Sequence, residues 1–267
     1  MIDASTVWDD VERIRAERPL VHNITNYVVM NLTANALLAL GASPVMAHAA
    51  EEVAEMAGIA RALVLNIGTL SPAWVEAMRL AAAAAKAKRI PIVLDPVGAG
   101  ATRYRTETAR ELLEYFRPAV LRGNASEIRA LALAEAETKG VDSRHDSSDA
   151  VAAAESLVGR FGCVVSVSGP VDIIVGGPGL VRIANGHPLM PRVTGLGCTA
   201  TALTGAFAAV NPSPVQAAGH AMAVMGVAGE MAAEGAAGPA SFQVRFLDAL
   251  HSLTRQELRD RLRIEPS

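Results

Sequence analysis

The chain has 267 residues, of which 51% are hydrophobic and 4% aromatic, and its formal net charge is −3. This length permits one large α/β domain or two small ones, and the charge gives no electrostatic basis for binding nucleic acid or an acidic membrane. Cys163 and Cys198 lack CxxC spacing, which argues against a disulfide framework or a zinc site and suits a reducing cytosol. We therefore expect a cytoplasmic protein.

No targeting or membrane-spanning segment is expected. Residues 1–18 are charged and lack the apolar segment of a signal peptide. The stretch 215–233 is mostly apolar but contains Gln216, His220 and Glu230, a pattern typical of a buried helix rather than of a membrane span.

Helices and strands alternate along the predicted chain. Helices are predicted over 7–17, 27–40, 50–58, 72–88, 105–116, 126–137 and 149–160, and strands over 19–23, 43–46, 62–68, 91–95, 119–124, 163–169, 172–175 and 180–184. Short apolar strands between helices are typical of a parallel sheet covered on both faces, and the last two strands form a hairpin. No linker or change of composition divides the chain, so we expect a single α/β domain over 1–267.

Several residues predict where helices begin and end. Gly41 and Gly58 are expected to end the helices before them, and Ser71 with Pro72 is expected to cap the next one. Residues 139–148 are polar and charged and are predicted to be a loop. Beyond residue 194 we expect two or three Ala-rich helices.

The stretch from Gly195 to Cys198 predicts a turn that leads into a helix. Glycine lets the backbone approach a phosphate closely, and the first amides of a helix have no internal partner and lie at the positive end of its dipole. Together these features make an anion site, where a Cys198 thiolate would be stabilised and Thr199 and Thr201 would add hydroxyls. The alternative is a tight loop before a buried helix, with Cys198 as a small core residue.

Polar residues follow four of the predicted strands, at 66–69, 95–100, 122–127 and 168–169. Ligands of open α/β sheets bind beyond the carboxyl ends of the strands, so these residues predict a site for a nucleotide and magnesium. Each has a structural alternative. Asp95 could form a turn, Asn124 with Glu127 a capping box, Arg122 a surface charge and Ser168 a turn.

Four runs of this sequence closely resemble the hydroxyethylthiazole kinase family of ribokinase-like kinases. They are VHNITNYV at 21–28, LDPVGA at 94–99, RGNASEI at 122–128 and GLGCT at 195–199, in collinear order within roughly residues 8–255. The resemblance implies a ribokinase-like fold with a mostly parallel central sheet and helices on both faces. It implies phosphorylation of the hydroxyl of 4-methyl-5-(2-hydroxyethyl)thiazole by ATP with Mg²⁺, in thiamine salvage. It also implies a homotrimer with active sites between subunits.

The resemblance also implies roles for individual residues. The expected thiazole contacts are Met46, Gly195 and Asn26; the expected ATP contacts are Arg122, Ser168, Gly197 and Asn124; the acidic residues expected at hydrated magnesium are Asp95 and Glu127. Cys198 falls where wider ribokinase-like enzymes carry an aspartate base. Without the resemblance, Met46 is more typical of a core methionine, and His22 is more typical of a hydrogen-bonded structural histidine than of a catalytic one.

Three other functions stay open. A thiol enzyme with Cys198 as nucleophile would need a positioned histidine, and the sequence places none beside it. A nucleotide-binding protein without turnover is disfavoured by the pair Asp95 and Glu127. A kinase of another small alcohol is disfavoured by the stretch 22–26 and by Cys198.

Overall fold

The computed structural model describes residues 2–137, 149–177 and 179–265, so the predicted loop at 139–148 lies outside the described residues. The helices are α1 Ala4–Glu17, α2 Met30–Leu40, α3 Val53–Ile59, α4 Pro72–Lys88, α5 Arg103–Phe116, α6 Ala125–Glu137, α7 Asp149–Phe161, α8 Leu196–Val210, α9 Pro214–Ala233, α10 Pro239–Ser252 and α11 Arg255–Arg261. The strands are β1 Leu20–Ile24, β2 Ser43–Val45, β3 Ala62–Asn66, β4 Ile92–Asp95, β5 Val120–Asn124, β6 Val164–Ser168, β7 Asp172–Gly176, β8 Gly179–Ile183 and β9 Ile264–Glu265.

The described strands form one sheet in the order β2-β1-β3-β4-β5-β6-β7-β8-β9. The strands from β2 through β6 in this order run parallel, and β7, β8 and β9 are antiparallel to their neighbours. The predicted hairpin is β7 with β8. The predicted α/β fold with a mostly parallel central sheet is confirmed, and the carboxyl ends of its parallel strands meet at one edge.

Helices cover both faces of this sheet because successive strand residues point to opposite sides. In β3, Leu63 and Leu65 pack with α3 to α7, whereas Val64 packs with α1, α2, α8, α9 and α10. Apolar residues on both faces explain why the parallel strands are nearly continuous hydrophobic runs in the sequence.

Helix α8 packs directly against the middle of the sheet, over β1, β3 and β4. A Cβ added at Gly205 would lie 2.6 Å from Cγ2 of Val64, so the close approach of α8 requires glycine at this position. The Ala-rich sequence of α8 therefore reflects tight packing, which fixes the start of α8 at the carboxyl edge of the strands.

Two of the predicted helix boundaries are confirmed and one is wrong. Gly41 has a φ of 112° and caps α2, and the Ser71 hydroxyl accepts a hydrogen bond from the Trp74 amide at the start of α4. Gly58 lies inside α3, which continues to Ile59, because its backbone stays helical instead of turning to positive φ. Among the described helices, none is long and apolar enough to cross a membrane.

Candidate functional site

The start of α8 is an unpaired helix terminus, as the sequence predicts. Gly195 precedes it with a φ of 89°, and a Cβ there would lie 2.8 Å from Cγ1 of Val29. The first backbone bond of the helix runs from the Thr199 amide to the Gly195 carbonyl over 2.8 Å. The amides of Leu196, Gly197 and Cys198 precede that bond, so this terminus can hold an anion.

Arg122 links the end of β5 to this terminus. Its side chain is buried, and its Nη1 donates to the carbonyl oxygen of Gly197 over 2.9 Å. Its Nε is buried and has no hydrogen-bond partner among the described residues. The alternative that Arg122 is a surface charge is wrong, and its guanidinium places positive charge beside the α8 amides.

A cavity of about 1150 Å³ lies beside the start of α8. All four predicted nucleotide residues, Arg122, Asn124, Ser168 and Gly197, line it. Other lining residues come from the segment before α8 and from α9: Asn185, His187, Met190, Met222 and Met225. The cavity exceeds the common range for small-molecule sites, roughly 300–1000 Å³, and can therefore hold a ligand as large as a nucleotide.

Asp95 is buried at the end of β4, in the middle of the same edge. Its Oδ2 accepts hydrogen bonds from Nδ2 of Asn66 over 2.8 Å and from Oγ1 of Thr201 over 2.7 Å. Burial raises the pKa of the Asp95 carboxyl to about 6, against the lowering effects of Arg122 and of both hydrogen bonds. A carboxyl with a strongly shifted pKa beside a buried guanidinium is typical of functional sites.

Cys198 is joined to this group through Asn26. Nδ2 of Asn26 donates to Oδ1 of Asn66 over 2.9 Å and contacts Sγ of Cys198 at 3.4 Å. Burial, reinforced by the charge of Asp95, raises the pKa of the Cys198 thiol to about 11. The expectation of a thiolate stabilised by the helix start is therefore wrong, because desolvation and a neighbouring carboxylate outweigh the helix terminus.

Glu127 has the capping role that the sequence offered as an alternative. Its Oε2 accepts from the Asn124 amide over 2.8 Å, and the Glu127 amide donates to Oδ1 of Asn124 over 2.9 Å. Its Oε1 accepts from the Gly98 amide over 2.9 Å, which holds the loop after β4 against the start of α6. Glu127 is close enough to Asp95 that its charge helps to raise the pKa of that carboxyl.

The two carboxylates fit a magnesium ion that is bound mainly through water and phosphate. Among the described residues, no group of three or more His, Cys, Asp or Glu side chains forms a preassembled metal cage. Mg²⁺ usually takes one or two protein carboxylates and keeps several waters beside substrate phosphates. Asp95 and Glu127, on adjoining strand and helix ends, match that donor set.

Of the remaining predicted residues, Ser168 lies at this centre, and Met46 has no described contact with it. Ser168 lines the cavity, and its hydroxyl donates to the Gly123 carbonyl over 3.4 Å. Met46 is half-buried just after β2, and its carbonyl accepts from Nδ1 of His48 over 3.2 Å. No hydrogen bond of the described chain connects Met46 to Cys198. Nε2 of the buried His22 donates to the Ala47 carbonyl over 2.8 Å, which confirms the structural role predicted for this histidine.

Two residues at this edge were missed in the sequence. Asp172, the first residue of β7, is buried in the cavity wall and accepts from the Gly169 amide over 3.1 Å. Arg105 donates from Nη1 to the Ile67 and Val97 carbonyls over 3.0 and 2.7 Å, and thereby ties together the loops after β3 and β4. An aspartate two residues after Gly169-Pro170 was an available signal for Asp172, but an arginine on a helix gives no sign of such contacts.

Asp172 gives a prediction of pH-dependent stability. Burial raises the pKa of its carboxyl to about 6, above the ordinary value of 3.8, so the folded state holds this proton more tightly than the unfolded state. The resulting stability is present below pH 4 and is lost as the pH rises through about 6. Asp172→Asn stays neutral at every pH and keeps an acceptor for Gly169. Relative to the wild type, we expect it to gain roughly 2–3 kcal/mol of unfolding free energy above pH 6.5 and little near pH 4.

Urea denaturation of both proteins at pH 4 and pH 7.5 measures this difference. Asp248→Asn, at an exposed position on α10, is the control, and its stability should differ from that of the wild type by the same small amount at both pH values. A gain for Asp172→Asn that is the same at both pH values would contradict the assigned cause.

Comparison with known sequences supports one family. The sequence model described as the hydroxyethylthiazole kinase family matches residues 11–256. A hydroxyethylthiazole kinase from Syntrophus aciditrophicus is 61% identical over 264 residues, which cover 98% of each chain. Another from Nitratidesulfovibrio vulgaris is 57% identical over 258 residues and 97% of each chain.

Comparison with solved structures agrees with this result. The structure of hydroxyethylthiazole kinase protein from Pyrococcus horikoshii OT3 has a TM-score of 0.90 and 44% identity over 98% of each chain. Pyridoxal kinase from Staphylococcus aureus, solved with AMP-PCP and pyridoxal, has a TM-score of 0.61 over 80% of this chain and 88% of that one. At 16% identity the second likeness concerns the fold alone, which is ribokinase-like. The chain thus belongs to the hydroxyethylthiazole kinase family.

Proposed function

We propose that this chain transfers the terminal phosphoryl group of ATP to the hydroxyl of 4-methyl-5-(2-hydroxyethyl)thiazole, a salvage step toward thiamine. The observation that carries the proposal is the position of the α8 start. On one side Leu196, Gly197 and Arg122 line a nucleotide-sized cavity. On the other side Cys198 contacts Asn26. A phosphoryl group held at this terminus would therefore lie between a nucleotide and a small acceptor.

Binding of the phosphates is assigned to backbone amides and one guanidinium. Phosphoryl transfer needs alignment of the reactants and neutralisation of charge more than covalent help. The amides of Leu196, Gly197 and Cys198 supply hydrogen-bond donors, and Arg122 supplies positive charge. Ser168 and Asn124 also line the nucleotide cavity and contact the rest of ATP in this proposal.

Asp95 and Glu127 would hold Mg²⁺ through water molecules, and the ion would offset negative charge on the phosphates. The hydrogen bonds from Asn66 and Thr201 keep the Asp95 carboxylate oriented toward this edge. The hydrogen bonds from two backbone amides do the same for Glu127.

The acceptor alcohol is assigned to the side of α8 where Asn26 contacts Cys198, with Gly195 and Met46 as its further proposed contacts. Because burial raises the pKa of the Cys198 thiol to about 11, Cys198 is a neutral thiol at physiological pH. We propose that it orients the acceptor hydroxyl rather than removing its proton before transfer. A loose transition state needs little help from a base, so orientation is sufficient for this step.

The test is an ADP-release assay with a panel of primary alcohols, with and without Mg²⁺. We expect ADP release that requires Mg²⁺ and has its highest kcat/KM with the thiazole alcohol. A higher kcat/KM with a sugar or pyrimidine alcohol would reassign the substrate. ATP binding without ADP release would indicate a sensor, and turnover without ATP would indicate a thiol enzyme.

We also propose a cytoplasmic homotrimer in which neighbouring subunits complete each site. Tyr27 and Val28 directly follow Asn26 and are 65% and 66% exposed. The Tyr27 ring lies edge-on to Trp74, with 4.3 Å between their centroids. An exposed apolar pair beside the acceptor region favours burial against another subunit.

Tyr27→Asp should separate the subunits and weaken acceptor binding, because a carboxylate in an apolar interface is desolvated without a partner. We expect a monomer by light scattering and at least about a tenfold rise in KM for the alcohol. Tyr115→Asp is the matched control, since Tyr115 is 66% exposed and lies at the opposite edge of the sheet. A Tyr27→Asp protein with unchanged mass and KM would contradict the proposed assembly.

A further inference from the structure

Asp95 and Cys198 are joined by a continuous chain of hydrogen bonds through Asn66 and Asn26. Asn66 ends β3, directly beside Asp95 at the end of β4. It donates to Asp95 from Nδ2 and accepts from Asn26 at Oδ1, and Asn26 in turn contacts Sγ of Cys198. Asn66 is 2% exposed, so water does not compete for these bonds.

A backbone group fixes which atoms donate and which accept in this series of hydrogen bonds. The Gly68 amide, which can only donate, lies 3.0 Å from Oδ1 of Asn66 and so identifies that atom as the carbonyl oxygen. Nδ2 of Asn66 must then face Asp95. The Asn26 atom 2.9 Å from the same oxygen must be a donor, which is Nδ2.

The orientation of Asn26 has a chemical consequence. Because its Nδ2 serves both Asn66 and Cys198, its Oδ1 bonds neither of them. In the described part of the chain no hydrogen bond ends on Oδ1 of Asn26. An acceptor oxygen beside a neutral thiol can receive the hydrogen bond of an alcohol.

We propose that Asn66 is a positioning residue, which holds the Asn26 carboxamide so that its oxygen accepts the hydroxyl of the acceptor substrate. Through its other end Asn66 holds Asp95, so one buried side chain aligns the alcohol side with the phosphate side. This inference rests on the proposed kinase function, whose acceptor is an alcohol.

The test compares phosphoryl transfer to the alcohol with transfer to water. The readout is ADP release with the thiazole alcohol divided by ADP release without it, measured on the same protein sample. Misfolding removes active molecules from both measurements equally, so this ratio reports acceptor alignment and not the folded fraction. For Asn66→Ala we expect the ratio to fall about tenfold and KM for the alcohol to rise, as for the loss of one hydrogen bond.

Thr201→Val is the matched control, because Thr201 donates to the same Asp95 oxygen but, among the described residues, forms no hydrogen bond with Asn26. It should lower both rates together and leave the ratio within about twofold of the wild type. Asn66→Asp keeps an acceptor for Gly68 and Asn26 but loses the amide that donates to Asp95, so the two adjacent carboxyls must share a proton. It should lower both rates together and yet restore most of the ratio that Asn66→Ala loses.

An unchanged ratio in Asn66→Ala, or equal losses in Asn66→Ala and Thr201→Val, would overturn the positioning role. A wild-type protein with no alcohol-dependent ADP release would instead overturn the proposed function on which the role depends. The two failures are therefore separated by the wild-type measurement.

Discussion

Replacement of Asp95 by asparagine should lower kcat by about 100-fold or more, the usual order for loss of a preorganised charge at a transition state. Asparagine keeps the size of the side chain and an oxygen that accepts from Asn66 and Thr201, so the surrounding bonds survive. What is lost is the negative charge proposed to hold hydrated Mg²⁺ beside the phosphates. The loss should appear in kcat with little change in KM for the thiazole alcohol.

The same substitution should not destabilise the protein. Burial raises the pKa of the Asp95 carboxyl to about 6, so the folded state favours the neutral form relative to the unfolded chain. That favourable contribution is present below pH 4 and is lost as the pH rises through about 6. Asparagine retains it at pH 7.5, and thermal unfolding in EDTA should give a midpoint at or above that of the wild type. A variant that is inactive because its midpoint falls, or one that keeps kcat within tenfold, would contradict the role of Asp95.

Cys198 variants should separate orientation of the acceptor from proton removal. Cys198→Ala removes the group beside Asn26 and should lower kcat by about tenfold to 100-fold. A general acid or base usually contributes about 100-fold or more, and the smaller loss is expected because Cys198 only orients the hydroxyl. Cys198→Asp should keep kcat within about tenfold of the wild type, because a carboxylate can contact the same hydroxyl. Both are measured by ADP release at saturating ATP and alcohol.

Cys163→Ala is the control for these variants, since Cys163 is buried at the amino end of β6, away from the site. Its kcat should equal that of the wild type. A folded Cys198→Asp protein that binds ATP but transfers no phosphoryl group would count against the assignment of Cys198.

Much of the fold could be predicted from local sequence patterns. The same patterns indicated which edge of the sheet carries the site. The apolar runs around Leu63–Leu65 and Val93 are buried on both faces, which makes them recognisable as parallel strands. Arg122, Ser168 and Gly197 follow strands or begin a helix, so topology brings them to one edge. The four collinear runs then indicated the family, which the comparisons confirm.

What the sequence could not predict depends on contacts between distant residues. Asn26 and Cys198 are 172 positions apart, and no local pattern shows that one amide contacts the thiol. The thiol pKa was expected to fall because a helix start is visible in sequence, whereas the burial and the Asp95 charge that raise it are not. Arg105 is likewise an ordinary helix residue in the sequence, and only the folded chain brings the loops after β3 and β4 within hydrogen-bond distance of it.

The most direct test is a crystal structure with a non-hydrolysable ATP analogue, Mg²⁺ and the thiazole alcohol. We expect the terminal phosphate to lie on the amides of Leu196, Gly197 and Cys198, with Arg122 beside it. The alcohol oxygen should lie within hydrogen-bond distance of Asn26 Oδ1 and in line with that phosphate. A terminal phosphate bound away from the start of α8, or an alcohol on the far side of the sheet edge from Cys198, would contradict it.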